Sequence, residues 1–215
     1  LREHVMLLAP ARDPGQRRAV GRAGDEQAER VEHGLARISE QAEHAASVIR
    51  RLRGFLRKGA RRLQLVDASA LAHEAVGLCA WEASQHQVQI IEHADAGLPR
   101  LQVDPILLQQ VLLNLLRNAI DANRERHPEH ASQVQLRIVA QDGQVCIDVI
   151  DQGAGVSAEA REQLFVPFYT SKADGLGLGL SMSQGIVEGF GGSLDALPAE
   201  SGGLCLRCLL PAASN

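Results

Sequence analysis

Between residues 25 and 58 the apolar positions Val31, Leu35, Ile38, Ala42, Ala45, Ile49, Leu52 and Leu56 advance in steps of 4, 3, 4, 3, 4, 3, 4. That spacing places one apolar stripe along an α-helix, and the stripe needs a partner helix over its whole length. Glu32, Arg37, Glu40, Glu43, Arg50, Arg51 and Arg57 occupy the other side, where water suits them. The helix could pack within its own domain, but the rest of the chain offers no helix of comparable length, so the seam favours an intermolecular bundle. Gly59 stops the helix, and the basic turn Lys58-Gly-Ala-Arg-Arg62 marks a boundary. A helical region over 1–60 is therefore expected to precede a second domain over 61–215.

The second domain alternates short strands and helices. Leu63 to Val66, Val88 to His93 and Leu101 to Val103 read as extended pieces, the first two separated by a helix from Asp67 or Ser69 to about Ser84. Asp104 followed by Pro105 is a helix start, because the aspartate caps free N–H groups and proline fits the first helical position. That helix runs to about Glu125. Val134 to Ala140 and Gln144 to Asp151 flank Gln141-Asp-Gly143, a hairpin signature. Ser157 to Leu164 predicts a short helix, Leu180 to Phe190 another, and Ser193 to Leu197 with Leu204 to Leu210 a last pair of strands. The fold class is α+β: a two-layer α/β sandwich with a mostly antiparallel sheet, preceded by the bundle-forming helix. Trp81 and Met182 are expected in or near the core.

Composition removes several functions. At 45% hydrophobic residues over 215 positions, the chain can bury a real core. A net charge of −4 and 3% aromatics argue against a nucleic-acid surface, since neither a general basic field nor a stacking platform is available. No apolar run approaches the roughly 20 residues that span a bilayer, so no membrane contact is expected of this segment. The four cysteines are too few for a disulfide scaffold, which points to a reducing, cytoplasmic setting, for a free protein or the soluble part of an inner-membrane one. The chain opens on Leu1 without a signal-peptide layout, so it reads as a fragment of something longer.

Three segments carry candidate chemistry. Asn114, Asn118 and Asp121 stand at i, i+4 and i+7 of one helix, hence on one face, among Val111, Leu112, Leu115, Leu116, Ala119 and Ile120. Such oxygen donors suit Mg²⁺ with phosphate and water, although the same row could be a stripe facing solvent. Asp151-Gln-Gly-Ala-Gly155 follows a strand; its carboxylate could accept from an exocyclic amine such as adenine's, or the segment could be an ordinary turn. Gly175-Leu-Gly-Leu-Gly179 opens a helix, where exposed N–H groups favour phosphate, or it could serve as a hinge.

Taken together and in this order, the segments resemble the ATP-binding domain of sensor histidine kinases, within the superfamily that includes gyrase and the heat-shock chaperone ATPases. Asn114-x₃-Asn118-Ala-x-Asp121-Ala resembles the N box and Asp151-x-Gly-x-Gly155 the G1 box. Phe165-x-Pro-Phe168 resembles the F box, and Gly175-x-Gly-x-Gly179 the G2 box. The resemblance runs from about Arg62 to Pro211. It implies ATP and Mg²⁺ as cofactors, with Asp151 on the adenine amine, Asn118 on the metal, Asn114 near the phosphates, and Asp121 supporting the same end of the helix. Gly153 and Gly155 would shape the base site. A lid over about Val156 to Leu178 would contribute Phe165, Thr170, Ser171, Lys172 and Leu178. Lys172 would reach the phosphates, and Gly175, Gly177 and Gly179 would wrap them. Asn114 and Lys172 are thus the candidate catalytic residues. Hydrolytic members of the superfamily carry a glutamate at the position of Asn114; a carboxamide is no general base, so transfer to a protein is favoured over ATP hydrolysis.

The segment Ala45 to Lys58, with Arg-Arg-Leu-Arg-Gly-Phe at 50–55, resembles the second helix of the family's dimerisation and phosphotransfer domain. This implies a homodimer through a four-helix bundle and, as partner, a response-regulator receiver domain. The acceptor histidine is not identified in this chain. His4, His33 and His44 lack the neighbouring acid pattern, and His73-Glu74 falls in the catalytic domain, where it reads as surface; the acceptor is expected upstream, or else has degenerated. The runner-up readings are a hydrolytic ATPase of the superfamily and a non-catalytic dimerisation module with a decayed pocket. Cys205-x₂-Cys208 has no second pair for zinc, and residues three apart on a strand face opposite sides.

Overall fold

The computed structural model of the protein describes residues 62–172 and 175–213. The bundle helix expected over 25–58, and the histidines within it, lie outside these residues.

Local signals set the element starts as expected. Helix α1, Ala68–Gln85, is capped by Asp67, whose carboxylate accepts from the N–H groups of Ser69 and Ala70. Helix α2, Pro105–Arg126, is capped in the same way by Asp104, with Pro105 at its first position. The short helix α3, Ala158–Gln163, has Ser157 as its cap. Helix α4, Gly179–Glu188, follows the glycine run.

The strands are β1 Gln64–Val66, β2 Val88–Ala94, β3 Leu101–Val103, β4 Ser132–Gln141, β5 Gln144–Ile150, β6 Ser193–Pro198 and β7 Leu204–Pro211. Five form one sheet in the order β2-β4-β5-β7-β6, antiparallel except for the parallel pair β2/β4. β1 and β3 pair antiparallel as a small separate sheet, which Leu101 links to Ala212. The β4–β5 turn places Asp142 at φ 50 and Gly143 at φ 75, the left-handed pair that a two-residue hairpin demands and an Asp-Gly sequence accepts.

Alternation builds the core. Val134, Leu136 and Ile138 of β4, Val145, Ile147 and Val149 of β5, and Leu206, Cys208 and Leu210 of β7 point to one side. They meet Leu108, Val111, Leu112, Leu115, Leu116, Ala119 and Ile120 of α2 and the small residues of α1. Met182 is buried as expected, whereas Trp81 is not: it is 74% exposed. The inward face of α1 is Ala68, Leu71, Ala72, Ala75, Cys79 and Ala83, mostly small residues that let the helix lie close to its neighbours. Trp81 stands two residues from Cys79 and from Ala83, about 200° around the helix, and so faces water. Cys208 lies in the core, while Cys205 is on the opposite sheet face, opposite Ile150; both are free thiols pushed up to about 12 by burial. No helix among the described residues is long and apolar enough to cross a membrane.

Candidate functional site

Helix α2 is the spine of the site. Asn114, Asn118 and Asp121 are half-buried on one face, spread over about 10 Å of axis at 1.5 Å per residue. Each meets a different part of the chain. Asn114 donates from Nδ2 to Ser183 Oγ of α4 at 3.0 Å. A Cβ on Gly179 would lie 2.5 Å from Asn114 Oδ1, so a side chain there would push the Asn114 carboxamide aside. Lys172 Nζ reaches back to Asp121 Oδ2 at 2.6 Å and to Asn118 Oδ1 at 3.5 Å. The oxygens of Asn118 and Asp121 therefore already converge on one cation, and hard oxygen donors so placed fit Mg²⁺ as well as an ammonium.

At the end of β5, Asp151 is 5% exposed. Its Oδ1 accepts the N–H of Gly153 at 2.9 Å and the N–H of Leu204 at 3.0 Å. Oδ2 accepts from neither. Burial pushes the carboxyl above its ordinary value, and those two backbone donors pull against the shift. The turn is close-packed: a Cβ on Gly153 would stand 2.8 Å from Ala122 Cβ, and one on Gly203 would collide with the carbonyl and carboxylate of Asp151. Gly155 takes φ 68 beside Gly202.

The glycine run folds back on the segment before it. Phe168 N–H donates to Gly177 O at 2.9 Å, with φ 68 at Phe168 and φ 64 at Gly177. Thr170 Oγ1 accepts the Lys172 N–H at 3.1 Å and lies against Gly175. Leu178 is buried and precedes α4 without any side-chain cap, so the first N–H groups of α4 keep free capacity for an anion.

The fold thus brings Asn114 to Gly179, Asn118 and Asp121 to Lys172, and Gly153 to α2. Thr170 and Ser171 are exposed, and Phe165 packs half-buried against the core. His73 is a surface residue 3.2 Å from Glu92. Sequence reasoning missed Ser183, Gly203, Gln152 and Asn123. Asn123 is a buried carboxamide whose Oδ1 accepts the Gln152 N–H at 2.7 Å. A polar residue just past Asp121, two steps from the expected row, was the available signal.

A two-layer fold with a buried carboxylate at one end of the spine helix, oxygen donors along it, and an uncapped helix start at the other end defines an ATP-binding domain. The chain belongs to the family of histidine kinase-, DNA gyrase B- and HSP90-like ATPases, whose family model matches residues 103–214. It is similar to the sensor protein FixL of Bradyrhizobium diazoefficiens, with 36% identity over 201 residues, 94% of this chain and 39% of the relative. It is also similar to the C4-dicarboxylate transport sensor protein DctS of Rhodobacter capsulatus, with 35% identity over 175 residues, 81% of this chain and 26% of the relative. The chain therefore spans well under half the length of these relatives. Among solved structures, full-length ShkA in complex with AMPPNP matches with a TM-score of 0.71 and 27% identity over 82% of this chain and 37% of that one. A nucleotide-free catalytic domain of the histidine kinase ThkA matches at 0.63 and 25%, covering 70% of this chain and 96% of that one.

Proposed function

We propose that this chain is the kinase core of a two-component sensor: it binds Mg·ATP and passes the γ-phosphate to a histidine, from which a response-regulator aspartate receives it. The observation that carries the reading is the convergence on one helix, α2, of the Asp151 turn, the Lys172 segment and the start of α4. Asp151 Oδ2 accepts from the adenine amine. Asn118 holds Mg²⁺, with Asp121 beside it. When bound, Mg²⁺ would supply positive charge to the phosphate oxygens. The free N–H groups of α4 and the Lys172 ammonium, moved off Asp121, take the phosphate charge. Asn114 cannot take a proton from water, and its carboxamide is engaged by Ser183, which favours transfer over hydrolysis. The attacking group is a neutral imidazole nitrogen; its N–P bond forms as the P–O bond to ADP breaks, and a neighbouring acid holds the other ring N–H.

The acceptor is proposed to lie upstream, in a homodimeric bundle built on the 25–58 seam, in the cytoplasm. A charged substitution at Ile49 or Leu52 then separates the subunits in sedimentation. The full-length protein incubated with γ-labelled Mg·ATP is expected to carry acid-labile, base-stable label that a receiver domain removes. Steady release of phosphate with no labelled protein would point instead to a hydrolytic ATPase.

A further inference from the structure

The Asp151 turn is held from behind by residues that stand off the nucleotide cleft. Asn123, in the last turn of α2, is 0% exposed. Its Oδ1 accepts the Gln152 N–H at 2.7 Å; its Nδ2 donates to Gln133 O at 2.9 Å and to Ser132 Oγ at 3.1 Å. His127, the residue that ends α2, lies with Nε2 2.9 Å from Gln152 O. A carbonyl only accepts, so Nε2 is the protonated nitrogen. Gln152 Oε1 accepts the Gln133 N–H at 2.8 Å. Every hydrogen-bonding end of Gln152 but its side-chain NH₂ is thereby tied to α2 or β4. The peptide before it is held too: Asp151 N–H donates to Leu204 O at 3.0 Å, and Ser201 Oγ donates to Asp151 O at 3.2 Å.

A buried carboxamide is costlier than an apolar residue unless all its bonds are made. Here they are made, and all of them fall on the turn that carries Asp151 or on the strand beside it. We propose that Asn123 and His127 are positioning residues: they clamp Gln152 so that Asp151 presents Oδ2 at a fixed angle, and so set how strictly the site requires the 6-amino group of the purine. This rests on the reading of Asp151 as the base contact. A hydrogen bond weakens steeply with misalignment, and a carboxylate on a loosened turn spends less time aligned. Asn123 and His127 thus act through Asp151 and touch no part of the ligand.

The test compares Mg·ATP with Mg·purine riboside triphosphate, which lacks only the exocyclic amine, by calorimetry on this 215-residue chain and its variants. The unsubstituted chain is expected to prefer ATP about tenfold or more, and Asp151→Asn to erase the preference. Asn123→Ala is expected to cut it to about threefold or less, and His127→Ala to reduce it two- to threefold. His127→Gln, which keeps a donor near the Nε2 position, recovers most of it. The ratio is indifferent to partial unfolding, because both ligands draw on the same folded pool. A merely structural Asn123 would weaken both ligands alike and leave the ratio intact, which overturns the proposal. If Asn123→Ala does not fold, the two His127 variants decide in the same way. If the unsubstituted chain does not discriminate at all, the base-contact reading itself fails.

Discussion

Asp151→Asn separates the proposed binding role of this residue from its folding role. Asparagine keeps a carbonyl oxygen where Oδ1 now accepts from Gly153 and Leu204, at 2.9 and 3.0 Å, so the turn's own bonds survive. The amide NH₂ takes the place of Oδ2 and meets the adenine amine donor to donor. A hydrogen bond to a charged acceptor is worth about 1.5–3 kcal/mol, so Mg·ATP should bind roughly 10- to 150-fold more weakly. Stability should move the other way. Burial raises the Asp151 pKa, so its contribution to stability is fully present below 3.8 and is lost as pH rises through the higher folded value. At neutral pH the buried charge is a cost that asparagine removes. The variant should melt no lower than the unsubstituted chain at pH 7, and its advantage should shrink as the pH falls toward the carboxylate range. Calorimetry with Mg·ATP, beside thermal melts over that pH series, reads both effects. Unchanged affinity would refute the base contact; a lower melting temperature at pH 7 would refute the division of labour between the two oxygens.

Three further outcomes follow from the geometry. Lys172→Met frees Asp121 and Asn118 from their internal cation; being half-exposed, the pair should cost under about 1 kcal/mol of stability, while phosphotransfer falls tenfold or more, and unchanged transfer would count against the lysine's role. Gly179→Ala puts a Cβ 2.5 Å from Asn114 Oδ1, so labelled-ATP assays should show transfer lost about tenfold, with melting changed by under about 0.5 kcal/mol because alanine suits a helix. On the outer sheet face, Asp148 is 0% exposed between Arg207, at 2.8 and 3.0 Å, and Arg137. Burial raises its pKa, but the guanidinium bonds outweigh it and hold the carboxyl below 3.8, so this stabilisation is present above that value and lost as pH falls through the lower folded one. Arg207→Met should therefore cost about 1–2 kcal/mol in denaturant melts at pH 7, less than a fully buried pair because Arg137 remains and Arg207 is one-third exposed, and the deficit should fade in acid.

Local chemistry was legible because its cause lies within a few residues. Asp67, Asp104 and Ser157 cap because a short acceptor precedes free N–H groups. Asp142-Gly143 turns because both residues tolerate φ above zero. The row Asn114, Asn118, Asp121 shares a face because a helix repeats every 3.6 residues.

Long-range contact decided the rest. Periodicity marks β2 as a strand, yet its parallel pairing with β4, and the departure of β1 and β3 into a sheet of their own, depend on where α1 and α2 lie. An apolar ring is expected inside, yet Trp81 faces water because the inward stripe of α1 is already filled by Leu71, Cys79 and alanines. Lys172 finds Asp121 across 51 residues, Gln152 finds Asn123 across 29, and Asp151 finds Leu204 across 53. No spacing rule reaches that far. The sequence alone marked which groups are candidates for a nucleotide. Only the folded chain determined which of them are held rigid, because a hydrogen bond is a matter of a few tenths of an ångström, set by every element packed behind it.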